Sequence, residues 1–268
     1  MFFDESQSEF EQLPRGDMLS DAIIRKWVIA KGKAYINLNT PIFKILPIER
    51  FTELMLGRTI AFTNPTMWED PAEYSFVARY QELSNIPVEK ATDWDFYGQC
   101  WSMNGSCDGL WRTYTNNKAR LAVQIGTTVG KIINAYVRKD QDILSNLFCG
   151  KVVYENREQL KRRIKDTRPS SFESDLDSVF RKREDFKYEQ EVRFVMQVCD
   201  RSLKLFENKK SLRKDKYALF RFSDLKWIDG CVVSPWASPM EEAIAKELTR
   251  VGGVKLANVR KSKLYEAL

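Results

Sequence analysis

Two glutamates separated by one residue, with an arginine at the same interval beyond them, are the side chains in this sequence best placed to do chemistry. They stand in the run Tyr188-Glu189-Gln190-Glu191-Val192-Arg193-Phe194-Val195-Met196-Gln197-Val198. Apolar residues alternate from Val192 through Phe194 and Met196 to Val198, so the run predicts a strand with one face in a core. Glu189, Glu191 and Arg193 then share the other face, about 7 Å apart in succession. Such a face is either solvated or the wall of a cleft. As a cleft wall, one carboxylate grips a ribose hydroxyl or stabilises an oxocarbenium-like centre, as paired carboxylates do in glycoside chemistry. Arg193 in that setting holds the pair in place and keeps both ionised.

Two further clusters carry reactive or planar groups. Cys100-Trp101-Ser102 and Leu110-Trp111-Arg112-Thr113-Tyr114 offer two indoles, a phenol and a hydroxyl within fifteen residues. They suit the walls of a pocket for a flat base or nicotinamide, and equally the anchors of a core. The loop Asn64-Pro65-Thr66-Met67-Trp68-Glu69-Asp70-Pro71-Ala72-Glu73 is turned by its Asn-Pro and Asp-Pro steps. Its carboxylates are candidate ligands for a divalent cation, without the spacing of a calcium loop. Gly126-Thr127-Thr128-Val129-Gly130 lacks the lysine of a phosphate-binding loop.

The chain contains no histidine. That excludes a Ser-His-Asp or Cys-His pair, His-ligated zinc or haem, and an imidazole base. Chemistry is left to carboxylates, hydroxyls, thiols, lysine, arginine and backbone. The five cysteines, at 100, 107, 149, 199 and 231, include no Cys-x-x-Cys pair. They are expected as reduced thiols in a cytoplasm, with no histidine to activate Cys100.

The elements that must position these groups follow from composition and pattern. At 268 residues and 43% hydrophobic, the chain can bury a full core without disulfides or metals. Residues 1–18 read as an acidic, poorly ordered lead, and 19–268 as a single α+β domain. Helices are expected over 20–31, 47–56, 110–114 and from a Ser238-Pro239-Met240-Glu241 capping box onward, with Met240, Ile244 and Leu248 as the apolar stripe of the last. Strands are expected over 59–63, 97–102, 120–125, 151–154, 191–198, 227–234 and 254–259. The architecture implied is a central mixed or mostly antiparallel sheet of six to eight strands, whole or split, with surrounding helices. No signal peptide or membrane span is expected. Residues 1–150 hold 16 Lys and Arg against 18 Asp and Glu, whereas 151–268 hold 27 against 19. The excess gathers in 157–168 and 201–216, segments that could meet a nucleic-acid or protein partner or simply be solvated.

Taken in order, the blocks resemble an uncharacterised bacterial family, the domain of unknown function numbered 2971. Phe43-Lys44-Ile45, Met67 through Glu73, Cys100-Trp101-Ser102, Leu110-Trp111-Arg112-Thr113-Tyr114, Val152-Val153-Tyr154 and Lys182 through Arg193 carry the likeness. Glu69, Ala119 and Ile45 depart from the family pattern. A looser likeness, in motif order alone, is to the Arg-Ser-Glu class of ADP-ribosyltransferases: Lys44 on an early strand, Ser102 on a middle one, Glu189 and Glu191 on a later one. The resemblance implies NAD as substrate, Glu191 as the catalytic carboxylate and Glu189 orienting the acceptor. It also implies Ser102 positioning NAD between Trp111 and Tyr114, with Lys44 on phosphate or ribose. A lysine there cannot reproduce the planar fork of arginine.

The leading expectation is therefore an enzyme that binds NAD and transfers or cleaves ADP-ribose, as a bacterial effector in conflict or phage defence. A non-catalytic nucleic-acid- or protein-binding sensor is the alternative, and a metal-dependent nuclease built on Asp70, Glu73 and Glu191 the next.

Overall fold

The alternating run around Arg193 folds as the strand it predicts, Glu191–Val198, and the sheet is assembled about it. The computed structural model describes residues 36–68, 70, 73, 95–139, 143, 146–166, 176–198, 203–210 and 216–266. The expected lead at 1–18 and helix at 20–31 lie outside the described residues, as do Glu69, Cys199 and parts of both basic segments.

In chain order the strands are β1 (Pro41–Pro47), β2 (Thr59–Thr63), β3 (Asp95–Ser102), β4 (Ala122–Thr128), β5 (Leu147–Lys151), β6 (Val153–Glu155), β7 (Arg181–Arg183), β8 (Glu191–Val198), β9 (Tyr217–Arg221), β10 (Gly230–Val233) and β11 (Val259–Lys261). The helices are α1 (Ile48–Gly57), α2 (Asp108–Tyr114), α3 (Val129–Lys139), α4 (Arg157–Asp166) and α5 (Pro239–Val251). All strands but β6 and β7 belong to one 9-stranded mixed sheet, in which only the β10–β11 pair is parallel. β6 and β7 form a separate parallel ribbon. The α+β class and mostly antiparallel sheet are as expected. The count exceeds six to eight because β1, β5 and β9 add to the expected strands; β1, framed by two prolines, and β5, a short apolar run, carry no alternation to betray them, whereas β9 alternates and is a miss of the sequence reading. The helix α3 was likewise not anticipated.

The sheet forks at β3. One edge of β3 pairs along its length with β8, from Asp95–Val198 to Ser102–Glu191. The other edge is shared: β2 registers with it only at Thr63–Gly98, and β1 only at Phe43–Ser102. Beyond that single contact β1 follows β4 through seven residues. The gap between diverging strands is where an open sheet leaves room for a ligand.

The main core lies on one face. It gathers Val192, Phe194, Met196 and Val198 of β8 with Phe51 and Leu54 of α1, and Ile132, Ile133 and Tyr136 of α3. α1 ends in a left-handed residue, Arg58 at φ 55°, where the chain reverses into β2. No helix among the described residues is long and apolar enough to cross a membrane.

One sequence expectation is overturned. The capping box of α5 forms as read, with Ser238 and Glu241 exchanging side-chain and backbone hydrogen bonds. Two residues of its stripe, however, point outward: Met240 is 75% exposed and Ile244 45%, while Leu248 packs against the core and Ala245 and Thr249 are buried. The helix packs through its small side, which allows close approach to α1. Gly252 sits against Met55 at that junction. Met240→Lys and Ile244→Lys are expected to shift stability by no more than ~0.5 kcal/mol. Ala245→Leu is expected to cost ~1–3 kcal/mol through overpacking. Urea denaturation of the three variants checks this, and a large loss in the Ile244 variant contradicts the packing described.

Candidate active site

The face of β8 that carries Glu191 and Arg193 is not solvated. Residues 176–189 roof it, closing a second apolar cluster of Phe96, Phe148, Leu176, Val179, Phe180 and Val195. Glu191 is 7% exposed and Arg193 fully buried. Ionised groups at such depth persist only when paired and hydrogen-bonded.

The pairing is dense. Arg193 Nε donates to Glu191 Oε2 at 2.8 Å, Nη1 to the Val179 carbonyl at 2.8 Å, and Nη2 to Glu73 Oε1. The guanidinium also lies over the Trp68 indole, 4.2 Å from the ring centroid. Trp68 reaches it across Gly98, where a Cβ would stand 2.7 Å from the indole, so β3 needs glycine there. From β7, Lys182 Nζ meets Glu189 Oε2 at 2.6 Å, Glu191 Oε1 at 3.0 Å and Glu73 Oε1 at 3.6 Å. Nearby, Arg183 Nε holds Asp70 at 2.9 Å.

Glu189 reaches the same spot by a different route from the one expected. It ends a 3-10 turn, Glu184–Glu189, and β8 begins only at Glu191. Gln190 between them is left-handed, at φ 45°, and this reversal sets the two carboxyls within hydrogen-bonding reach of each other. The turn is clasped from β3: Ser102 Oγ donates to the Glu189 carbonyl at 2.6 Å and accepts from Asn104 N–H at 2.9 Å. The Tyr154 hydroxyl accepts from Glu191 N–H at 2.8 Å.

Burial and charge split the two carboxyls. Burial alone would raise Glu191, but Arg193 and Lys182 outweigh it and hold the group at about 2. Burial, with the hydrogen bond to Glu191, lifts Glu189 to about 7 despite Lys182. Glu191 is thus a fixed anion and Glu189 a carboxyl that exchanges a proton near neutrality, a division of labour seen wherever acid and base roles are separated. Arg193 therefore supports the ionised form of Glu191 directly and does not contact Glu189. Burial also pushes the Cys100 thiol up to about 12, so it is no thiolate.

The glutamates open onto a cavity of about 240 Å³. Of the residues singled out in the sequence, Lys44, Ser102, Tyr114, Glu189 and Glu191 line it together. Lys44 bridges the fork, its Nζ donating to the Cys100 carbonyl at 2.8 Å across the gap between β1 and β3. Burial pulls its ammonium below the ordinary value. Trp111 and Arg193 do not line the cavity: Trp111 is 1% exposed among Ile45 and Ala122, and Arg193 lies behind Glu191. Phe43, Trp68, Trp101 and Phe186 supply the other aromatic walls.

Several residues of the site were not found by sequence reasoning. Glu73 entered as a metal ligand and as part of a likeness, and Lys182 and Tyr154 only as parts of that likeness. Their signal was weak, since each is distant in sequence from its partners. Among the described residues no group of three or more His, Cys, Asp or Glu side chains is disposed to hold a metal ion. Asp70, Glu73 and Glu191 each face a lysine or arginine instead. In the basic segment 157–168, Arg163 turns inward to Glu155, while Arg157, Lys161 and Arg162 are exposed.

Residues 110–194 match a family model described as a protein of unknown function (DUF2971). The match takes in the Trp111–Tyr114, Val152–Tyr154 and Lys182–Arg193 blocks; those at 43–45, 67–73 and 100–102 lie outside it. No curated protein matches the chain. Among solved structures, the chain is similar to Thermus sp. 2.9 DarT in complex with ADP-ribosylated ssDNA, at 8% identity and a TM-score of 0.36, over 87% of this chain and 98% of that one.

The buried network has a measurable signature in stability. Glu191 falls from its ordinary 4.5 to about 2 on folding, so its contribution is complete above 4.5 and is lost as the pH drops toward 2. Acid unfolding of Glu191→Gln is expected to be less steep than that of wild type over this window. Arg193→Met, which leaves Lys182 as the sole described cation on Glu191 and Glu73, is expected to cost ~3–5 kcal/mol at neutral pH. Thermal melts as a function of pH, with urea titrations, read both effects.

Proposed function

We propose that this chain is an enzyme that binds NAD and transfers or cleaves ADP-ribose. The observation that carries the reading is that Glu191, held between Arg193 and Lys182, and Glu189, held by Lys182, face one cavity. A fixed carboxylate is what positive charge at an anomeric carbon requires, because its field is already in place when that charge appears. The cavity walls fit the rest of the substrate class. Tyr114 and Phe43 offer flat apolar surface for a nicotinamide or base. Lys44, whose ammonium makes one hydrogen bond among the described residues, has donors left for phosphate or ribose.

In this reading the bond between the anomeric carbon and the nicotinamide nitrogen breaks, and its electron pair leaves with nicotinamide. The developing positive charge faces Glu191. Water or an acceptor hydroxyl or amine forms the new bond to that carbon and passes its proton to Glu189. The departing pyridine ring needs no proton, so the proton-exchanging carboxyl serves the acceptor side. Ser102 acts on the geometry by fixing the Glu189 backbone. A macromolecular acceptor, nucleic acid or protein, would meet the exposed Arg157, Lys161 and Arg162 of α4 and Lys209 and Lys210 beyond β8. Such a transfer is the activity of an effector in bacterial conflict or phage defence.

Incubation with NAD, alone and with single-stranded DNA or protein acceptors, is expected to release nicotinamide. Glu191→Gln is expected to lower that rate by about 100- to 10,000-fold. Neither turnover nor binding of NAD by a folded wild type, across these acceptors, overturns the proposal.

A further inference from the structure

Lys182 takes no part in the reaction as written, yet it is the cation that meets all three carboxylates of the site. It comes from β7, whereas Glu191 stands on β8, Glu189 in the turn before it, and Glu73 far earlier in the chain. The side chain is 10% exposed, and the Phe186 ring covers the ammonium at 4.7 Å from its centroid. Immobilising and desolvating a lysine in this way is costly, and a general surface charge would not repay it.

The contacts show what the ammonium decides. Two cations, Lys182 and Arg193, serve three carboxyls. Glu191 has one oxygen on each cation, and Glu73 also touches both. Among the described residues, Glu189 pairs with Lys182 alone. Of the three carboxyls, the one Arg193 does not reach has the least support for its ionised form among the described residues. The other groups facing Glu189 add no positive charge: Tyr188 beside it, Tyr154 from β6 and Tyr114 from α2 are phenols, neutral at pH 7, and burial raises Tyr154 and Tyr114 further. Lys44 and Cys100 face Glu191 instead.

We propose that Lys182 is the positioning residue of this site, coupling the two glutamates so that Glu191 stays the fixed anion and Glu189 is the carboxyl that exchanges a proton. The role rests on the catalytic reading above for its purpose, but not for its test. Without the ammonium, Glu189 loses that cation, and ionising it beside Glu191 becomes harder. Its titration must then move to higher pH, and with it any rate that depends on the ionised form.

The test is a carbon-13 NMR titration of ligand-free protein labelled at the glutamate carboxyls, with Glu189→Gln to assign the resonance. In wild type the Glu189 carboxyl is expected to titrate near 7. In Lys182→Met its midpoint is expected to rise by about 1 unit or more, and in Lys182→Arg to return toward the wild-type position. Nicotinamide release by Lys182→Met should fall at neutral pH and recover at higher pH, through kcat rather than KM. A purely structural role would not shift that profile. An unmoved Glu189 resonance in folded Lys182→Met overturns the inference whether or not NAD is turned over. A moved resonance without turnover upholds it and removes the NAD reading instead. If the variants do not fold, wild type alone decides: a Glu189 midpoint at the ordinary 4.5, or a proton held by Glu191, overturns it.

Discussion

A guanidinium with no exposure to water sets the terms for half of this molecule. Arg193 cannot be buried without anions and carbonyls to replace its hydration, and the fold supplies them from three directions. Glu191 comes from its own strand, Glu73 from a loop more than a hundred residues earlier, and the Val179 carbonyl from the roof over β8. Removing the arginine would leave like charges facing one another in a poorly polarisable interior. The roof, Trp68, Glu73 and the strand are therefore tied to one side chain.

The cavity exists because the sheet does not close around that network. β1 and β3 share one register pair and then part, leaving the Cys100 carbonyl without a strand partner on that edge. Lys44 fills the role with its ammonium, which adds a cation to the cavity lining. A backbone gap thus becomes a polar feature of the site. On the same strand, Ser102 marks the point where β1, β3 and the turn carrying Glu189 meet.

Much of this was legible in the sequence, and the reasons are specific. Alternation exposed β8 and assigned Val192, Phe194, Met196 and Val198 to the core, because a buried sheet face admits few other patterns. The capping box located the start of α5, since its reciprocal hydrogen bonds need only residues three apart. The stripe of the same helix misled. Which side a helix buries depends on how closely its neighbour approaches, and here the small side of Ala245 and Thr249 allowed the closer contact. Strands β1 and β5 escaped because short runs without alternation look alike in either conformation.

The sequence by itself determined the chemical repertoire: no imidazole, a closely spaced pair of carboxylates, a guanidinium next to them and aromatic residues to wall a site. Composition and local spacing suffice for that, because they fix which groups exist and which are near along the chain. Only the tertiary structure decided that the glutamate face is roofed rather than solvated, that Gln190 turns left-handed to bring Glu189 beside Glu191, and that Lys182 and Glu73 arrive from distant segments. It also placed Trp111 in the core instead of the cavity. Charge interactions act through space and strengthen as water is excluded, so the difference between Glu189 and Glu191 belongs to the fold.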